Sequence, residues 1–135
     1  MSQPDPRPNP PLPAHRLLVV DDSTEGRQSL ARLLELYGFR VESAATGTEA
    51  LAILAQDPPP DVVLTDLLLP DLDGREVARV AGTLQPRPII GLITGWSFAD
   101  EDPSLTDLGV DWLFLKPIDT RSLVESLRQA LQAKG

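Results

Sequence analysis

The sequence contains no cysteine, and aromatic residues make up only 4% of it. The missing cysteine excludes disulfides and thiolate metal sites, and it agrees with a reducing compartment. No apolar run approaches the roughly 18–20 residues of a membrane span. The N-terminus also lacks the basic start and apolar stretch of a signal peptide. We therefore expect a cytoplasmic protein that does not enter a membrane.

Basic residues are few, since 12 Lys and Arg stand against 20 Asp and Glu and give a formal net charge of −8. This charge balance repels the phosphates of nucleic acids, so we expect no direct binding of DNA or RNA. Acidic groups that the fold brings close together would instead attract a divalent cation. At 135 residues the chain is long enough for one domain with its own core.

Bulky apolar side chains are almost missing from the N-terminal segment. Its first fourteen residues, MSQPDPRPNPPLPA, contain six of the 14 prolines. Proline cannot donate a backbone hydrogen bond, and this composition buries too little surface to offset the entropy of the chain. The sequence therefore predicts a disordered arm over residues 1–15 and a single domain over residues 16–133.

From Arg16 onward, short apolar runs alternate with helical patterns. The runs carry Val or Ile and turn residues flank them, which predicts strands buried on both faces. They lie at Leu17–Val20, Val62–Thr65, Ile89–Ile93 and Leu113–Leu115. The segment Val41–Ala44 is more mixed and predicts an edge strand.

Four helices are indicated between and after these strands. A stripe that ends at Tyr37 predicts the first, with Gly38 as the residue after its C-cap. Thr46 opens a capping box for the second. A shorter helix should follow Gly74, and the last should begin near Thr120. Repeated strand–helix units predict an α/β fold, a parallel sheet with right-handed crossovers and helices on both faces.

Polar residues follow the strands of this predicted sheet. Strand one ends at Asp21 and Asp22, strand three at Asp66, strand four at Thr94 and strand five at Lys116. In open parallel sheets the functional crevice lies at the carboxyl ends of the strands. Three carboxylates gathered there repel one another unless a cation joins them, and Mg²⁺ or Mn²⁺ prefers such oxygen ligands.

A cation in that crevice would let a carboxylate attack a phosphoryl group, because it neutralises charge on the transferred oxygens. Lys116 offers a positive charge to the same oxygens, and Thr94 offers a hydroxyl donor. The sequence therefore predicts a site that accepts and holds a phosphoryl group on Asp66. Asp71 and Asp73, by contrast, are interpreted only as turn formers.

Four blocks of sequence resemble the signature of CheY-like receiver domains from bacterial two-component response regulators. They are Val19-Val20-Asp21-Asp22-Ser23, Asp66-Leu-Leu-Leu-Pro70-Asp-Leu-Asp-Gly74, Ile93-Thr94-Gly95 and Lys116-Pro117. The resemblance covers about residues 16–133 and implies a five-stranded parallel sheet in the order 2-1-3-4-5 with five helices.

The resemblance also implies roles for individual residues. Asp66 would be the phosphoacceptor, and Thr94 and Lys116 would contact the phosphoryl group. The metal would be bound by Asp22 directly, by Asp21 mostly through water, by Asp66 and by the backbone carbonyl of Leu68. A cis peptide bond between Lys116 and Pro117 is expected as well.

As partners, the resemblance implies a sensor histidine kinase or histidine phosphotransfer protein and a downstream effector protein. A homodimer through the fourth and fifth helices is compatible with it. No output domain follows Gly135 in the sequence, so we expect the effect to pass through another protein unless the chain is part of a longer one.

Two residues depart from the family pattern. The position three residues before Lys116, where the family usually has Tyr or Phe, is Leu113, and Phe114 should point to the opposite face of the sheet. Pro103 falls inside the expected fourth helix, which predicts a short helix with Asp102 as N-cap and Pro103 at the first helical position.

Two other functions remain open at this point. One is a docking module that is never phosphorylated and keeps its acidic site only for structure. The other is a phosphatase of the haloacid dehalogenase kind, which would need an acidic group two residues after its nucleophile. This chain has Leu68 there, which argues against catalytic turnover.

Overall fold

The computed structural model describes residues 15–95 and 109–134. Strands and helices alternate through the first seven elements, and four helices are present in this described part of the chain. The elements are β1 (Arg16–Val20), α1 (Thr24–Leu36), β2 (Arg40–Ala44), α2 (Gly47–Leu54), β3 (Val62–Asp66), α3 (Gly74–Ala81), β4 (Ile89–Thr94), β5 (Trp112–Leu115) and α4 (Thr120–Lys134).

All neighbouring strands pair in parallel, in the order β2-β1-β3-β4-β5. The predicted fold class and strand order are therefore confirmed. The three central strands are buried along almost their whole length, as their continuous Val, Ile and Leu content predicts. Strand β2 is largely exposed, as expected for an edge strand.

The sheet separates two hydrophobic cores, because successive side chains of a strand point to opposite faces. One face packs against α2 and α3 through residues that include Leu18, Val63 and Leu92. The other packs against α1 and α4 through residues that include Val19, Leu64 and Leu127. Helices thus cover both faces of the sheet, and the loops at its carboxyl edge follow directly from buried strands.

Local signals set the helix boundaries. The side chain of Ser23 accepts a hydrogen bond from the amide of Gly26 at the start of α1. After α1 ends, Gly38 has φ of 100°, a conformation that favours glycine. The hydroxyl of Thr46 accepts from the amide of Glu49 at 3.1 Å and caps α2. The predicted end of α1 and cap of α2 are thus confirmed.

Two predictions concern residues outside the described part of the chain. They are the disordered arm, of which residues 1–14 lie outside, and the fourth helix with Pro103. Within residues 15–95 and 109–134, no helix is both long and apolar enough to cross a membrane.

Candidate functional site

The strand order brings the predicted site residues to one edge of the sheet. β1 lies beside β3, β4 beside β3, and β5 beside β4. Backbone hydrogen bonds continue past the strand ends, from the amide of Leu67 to the carbonyl of Ile93 and from that of Lys116 to the carbonyl of Thr94. These bonds fix the positions of Asp66 and Lys116 relative to β4.

The three aspartates form one acidic cluster. One carboxylate oxygen from each of Asp21, Asp22 and Asp66 lies within 4.8 Å of the other two. Asp21 and Asp66 are buried, with 9% and 4% of their surfaces exposed, whereas Asp22 faces solvent. Three carboxylate oxygens so close together form a hard donor set that suits Mg²⁺.

Lys116 is the positive group beside this cluster. Its Nζ lies 3.1 Å from Oδ1 of Asp66, and its side chain is 46% exposed. This contact is an ion pair without hydrogen-bond geometry, since the buried Oδ1 accepts no hydrogen bond from any described residue. A buried carboxylate oxygen in this condition has capacity left for a cation or a donor, which supports the fit of a metal.

Burial and repulsion shift the titration of Asp66. Burial raises the pKa of its carboxyl most, the neighbouring Asp21 carboxyl raises it further, and the Lys116 ammonium opposes both, so that the pKa is about 7 against an ordinary 3.8. The charged form of Asp66 is therefore disfavoured until positive charge reaches the cluster. This is the behaviour expected of a site that binds a cation.

Thr94 completes the crevice. It is 3% exposed, and its hydroxyl donates to the carbonyl of Gly95 at 3.2 Å. With Asp22, Asp66, Leu68 and Lys116 it lines a cavity of about 290 Å³ that opens to solvent. The cavity has room for a phosphoryl group between the acidic cluster and the two donors.

Asp21 is oriented by the turn that leads into α1. Its Oδ1 accepts from the amide of Ser23 at 2.9 Å, and its backbone carbonyl accepts from the Arg27 guanidinium at 2.7 Å. Gly26 gives room to the other oxygen, because a Cβ there would lie 3.1 Å from Oδ2. The turn and the glycine thus hold the carboxylate in place, with one of its oxygens within 4.8 Å of oxygens of Asp22 and Asp66.

Gly74 allows the chain after Asp66 to turn back sharply. A Cβ at this position would lie 1.8 Å from the carbonyl oxygen of Asp66, so no other residue fits. The amide of Gly74 donates to the carbonyl of Leu67 at 2.7 Å. Close backbone packing thus holds the carboxyl end of β3, where Asp66 lies.

The structure brings together the side chains that the sequence predicted for the site, namely Asp21, Asp22, Asp66, Thr94 and Lys116. Leu68 lies at the same crevice and pairs with Asp73 across the loop. The expected cis bond between Lys116 and Pro117 is present. The metal-binding role of the Leu68 carbonyl stays a prediction, as do the roles of the five side chains.

Sequence analysis missed two contacts of the segment after Asp66. Asp73 caps α3 through the amide of Arg75. Asp71 reaches the start of α2, where it accepts hydrogen bonds from Gly47 and Thr48. The capping of α3 could have been inferred from Asp73-Gly74 before an amphipathic stretch. No local pattern indicates the hydrogen bond between Asp71 and Gly47, which are 24 residues apart.

Leu113 and Phe114 point to opposite faces of β5, as the alternation of side chains along a strand predicts. Phe114 packs in the core under α1 and α4 and stacks on Trp112, with ring centroids 6.2 Å apart. Leu113 points to the other face and is 37% exposed. Phe114 therefore cannot take the place of a residue at position 113.

Comparison with known proteins agrees with this geometry. The sequence model of the response regulator receiver domain family matches residues 17–128. Response regulator MprA of Mycobacterium tuberculosis is 39% identical over 118 residues, which cover 87% of this chain and 50% of that protein. The chain thus spans about half the length of the curated relatives it matches.

Solved structures are similar over nearly their whole length. A CheY-like receiver domain protein from Methanospirillum hungatei has a TM-score of 0.80 at 32% identity, with 89% of this chain and 95% of that chain covered. A receiver domain protein from Clostridium thermocellum has a TM-score of 0.81 at 28% identity, with coverage of 89% and 96%. With its sheet order, its acidic cluster and these matches, the chain belongs to the CheY-like receiver domain family of response regulators.

Proposed function

We propose that this protein accepts a phosphoryl group on Asp66 in a Mg²⁺-dependent reaction and thereby acts as a switch in a two-component phosphorelay. The donor would be a phosphohistidine on a sensor histidine kinase or a histidine phosphotransfer protein. One observation carries the proposal: three carboxylates from two strand ends meet in one crevice, with the Lys116 ammonium 3.1 Å from Asp66.

The acidic cluster supplies the ligands for the metal. Asp22 and Asp66 would bind it directly, Asp21 mostly through water, and the carbonyl of Leu68 would complete the protein ligands. When bound, Mg²⁺ neutralises charge on the carboxylates and on the phosphoryl oxygens. Mn²⁺ has similar preferences for oxygen ligands and should substitute for it.

With the metal and the donor bound, the phosphoryl transfer uses groups that line the crevice. A carboxylate oxygen of Asp66 forms a bond to phosphorus while the bond from phosphorus to the donor imidazole breaks, and the imidazole nitrogen keeps that electron pair. Lys116 exchanges its contact with Asp66 for one with a phosphoryl oxygen. The hydroxyl of Thr94, which now donates to Gly95, turns to another phosphoryl oxygen.

The rearrangement of Lys116 and Thr94 provides the output. Both belong to the edge formed by β4 and β5, so their movement changes the protein surface at that edge. A downstream protein or a further domain would read that change. Because Leu113 stands where the family usually has an aromatic residue, the change at this surface does not include an aromatic ring at that position that turns inward.

A small phosphodonor such as acetyl phosphate tests the proposal, with intact mass as the readout. The wild-type protein should gain one phosphoryl group in Mg²⁺ and none in EDTA. Asp66→Asn should gain none, whereas the control Asp57→Asn, which removes an exposed carboxylate from the loop after α2, should be labelled like the wild type. A docking module would stay unlabelled in all conditions, and a phosphatase would consume the donor with repeated turnover.

A further inference from the structure

The segment Leu67–Asp73, here called the β3–α3 loop, is closed on itself. Leu68 and Asp73 form an antiparallel bridge, and the amide of Gly74 donates to the carbonyl of Leu67. Asp73 also caps α3. The base of the loop is therefore fixed to α3, while Asp71 and Leu72 form its tip.

The tip of the loop is bound to the first turn of α2 by a carboxylate. Oδ1 of Asp71 accepts from the amide of Gly47 at 2.8 Å, and Oδ2 accepts from the amide of Thr48 at 2.8 Å. The hydroxyl of Thr48 donates to Oδ2 as well. These two amides are among those that a helix N-terminus leaves without partners in the helix, so the loop supplies what the helix lacks.

An apolar contact supports this attachment. Leu72 lies so close to Gly47 that a Cβ there would be 2.3 Å from two carbons of the leucine side chain. Leu72 also packs against the core under α2 and α3. The absence of a side chain at Gly47 thus lets the tip of the loop lie directly on the helix.

Helix α2 is a firm base for this attachment. Its residues Ala50 and Leu54 are 0% and 1% exposed and belong to the core. The hydroxyl of Thr46 caps the same turn from within the helix, through the amide of Glu49. The first turn therefore has two caps, one local and one supplied by the loop.

We propose that Asp71 is a positioning residue for the metal site, because it fixes the loop that carries the Leu68 carbonyl to the N-terminus of α2. This inference rests on the proposed function, since it concerns the metal that Asp66 needs. With both ends of the loop anchored, the Leu68 carbonyl and the Asp66 backbone keep one orientation toward the acidic cluster. Coupling of this kind is reciprocal, so metal binding should in turn strengthen the contact with α2.

The test compares the full chain with three variants. Asp71→Ala removes the loop cap, Thr46→Ala removes the local cap of the same turn, and Glu49→Gln removes one exposed negative charge from that turn. Magnesium affinity is measured by titration calorimetry, and the melting temperature is measured without metal. Amide hydrogen exchange of Gly47 and Thr48 is followed with and without Mg²⁺.

Asp71→Ala should weaken Mg²⁺ binding roughly tenfold, the lower end of the effect seen when groups that orient metal ligands are removed. Asp71→Ala and Thr46→Ala should lower the melting temperature by similar amounts, because each removes a cap from the same turn. Thr46→Ala should nevertheless leave Mg²⁺ affinity within about twofold of the wild type, and Glu49→Gln should change neither the melting temperature nor the affinity. In the wild type and in Thr46→Ala, Mg²⁺ should slow exchange of the Gly47 amide, whereas in Asp71→Ala it should not.

Equal Mg²⁺ affinities for Asp71→Ala and Thr46→Ala would overturn the inference, because Asp71 would then be only a helix cap. Equal loss in Asp71→Ala and Glu49→Gln would also overturn it, because charge alone would then explain the change. If the wild-type protein itself bound no Mg²⁺, the proposed function would fail rather than the positioning role alone.

Discussion

Replacing Asp66 with Asn removes a charge that the metal-free protein disfavours. The carboxyl lies beside Asp21 and is 4% exposed, and its pKa of about 7 in the folded state compares with 3.8 for an ordinary aspartate. Because the folded protein binds this proton more tightly than the unfolded chain, its contribution to stability is full below about pH 4 and is lost as pH rises through about 7. The variant should therefore be more stable than the wild type at alkaline pH.

The shift sets the size of the effect. The pKa of Asp66 is about 3 higher in the folded protein than in an ordinary aspartate. At 1.36 kcal/mol per unit of pKa this corresponds to about 4 kcal/mol, which is an upper bound on what the charge costs in stability. The pKa of about 7 already includes the opposing effect of the Lys116 ammonium, and because the crevice opens to solvent, water lowers the cost of the charge below this bound. We expect the free energy of unfolding in EDTA at about pH 8 to rise by about 2–3 kcal/mol in Asp66→Asn.

Urea unfolding followed by circular dichroism measures this difference. The advantage of Asp66→Asn should shrink as pH falls from about 7 to about 4. Saturating Mg²⁺ should also shrink it, since metal at 100 times its dissociation constant stabilises the wild type by about 2.7 kcal/mol. The same stability for both proteins at about pH 8 in EDTA, or a less stable Asp66→Asn, would refute the reasoning.

Three further predictions concern the backbone and the loop. Gly74→Ala should destabilise the protein by about 3 kcal/mol or more in urea unfolding, because its Cβ would overlap the Asp66 carbonyl, whereas Gly82→Ala, whose Cβ meets nothing closer than 3.4 Å, should change stability little. Gly38→Ala should cost about 1–2 kcal/mol in the same assay, because φ of 100° strains any residue with a Cβ. The hydroxyl of Thr48, and then its amide, lower the pKa of Asp71 to about 2. Asp71→Asn should therefore be less stable than the wild type above about pH 4, and urea midpoints of the two should converge as pH falls toward about 2.

The sheet could be predicted because its signals are local and repeated. Continuous apolar runs in β1, β3 and β4 indicate strands buried on both faces, and the mixed segment of β2 indicates the edge. Gly38 and Thr46 mark helix ends by the conformation and the hydrogen bond that only a few residue types provide. Alternation along β5 likewise separates Leu113 from Phe114.

The members of the site could be predicted for a similar reason. Parallel strands carry their carboxyl ends to one edge, so Asp66, Thr94 and Lys116 had to meet once the strands were placed. Their distances could not be predicted, and neither could the raised pKa of Asp66, because both depend on burial and on the approach of Asp21.

The attachment of Asp71 to α2 was missed because it is a long-range contact. It joins a loop and a helix 23 and 24 residues apart in sequence, and a turn with Asp71 looks the same whether or not a helix end lies nearby. Only the packing of α2 beside α3 brings the two together. Sequence alone could therefore locate the chemical groups of the site but not the contacts that orient them.

Peptide mapping after phosphorylation tests the central claim most directly. The protein is incubated with a small phosphodonor and Mg²⁺, treated with borohydride to convert aspartyl phosphate to homoserine, digested and analysed by mass spectrometry. We predict homoserine at position 66 in the Mg²⁺ sample and an unchanged Asp66 in the EDTA sample. Homoserine at another aspartate, or none at position 66 despite a wild-type protein that binds Mg²⁺, would contradict the account.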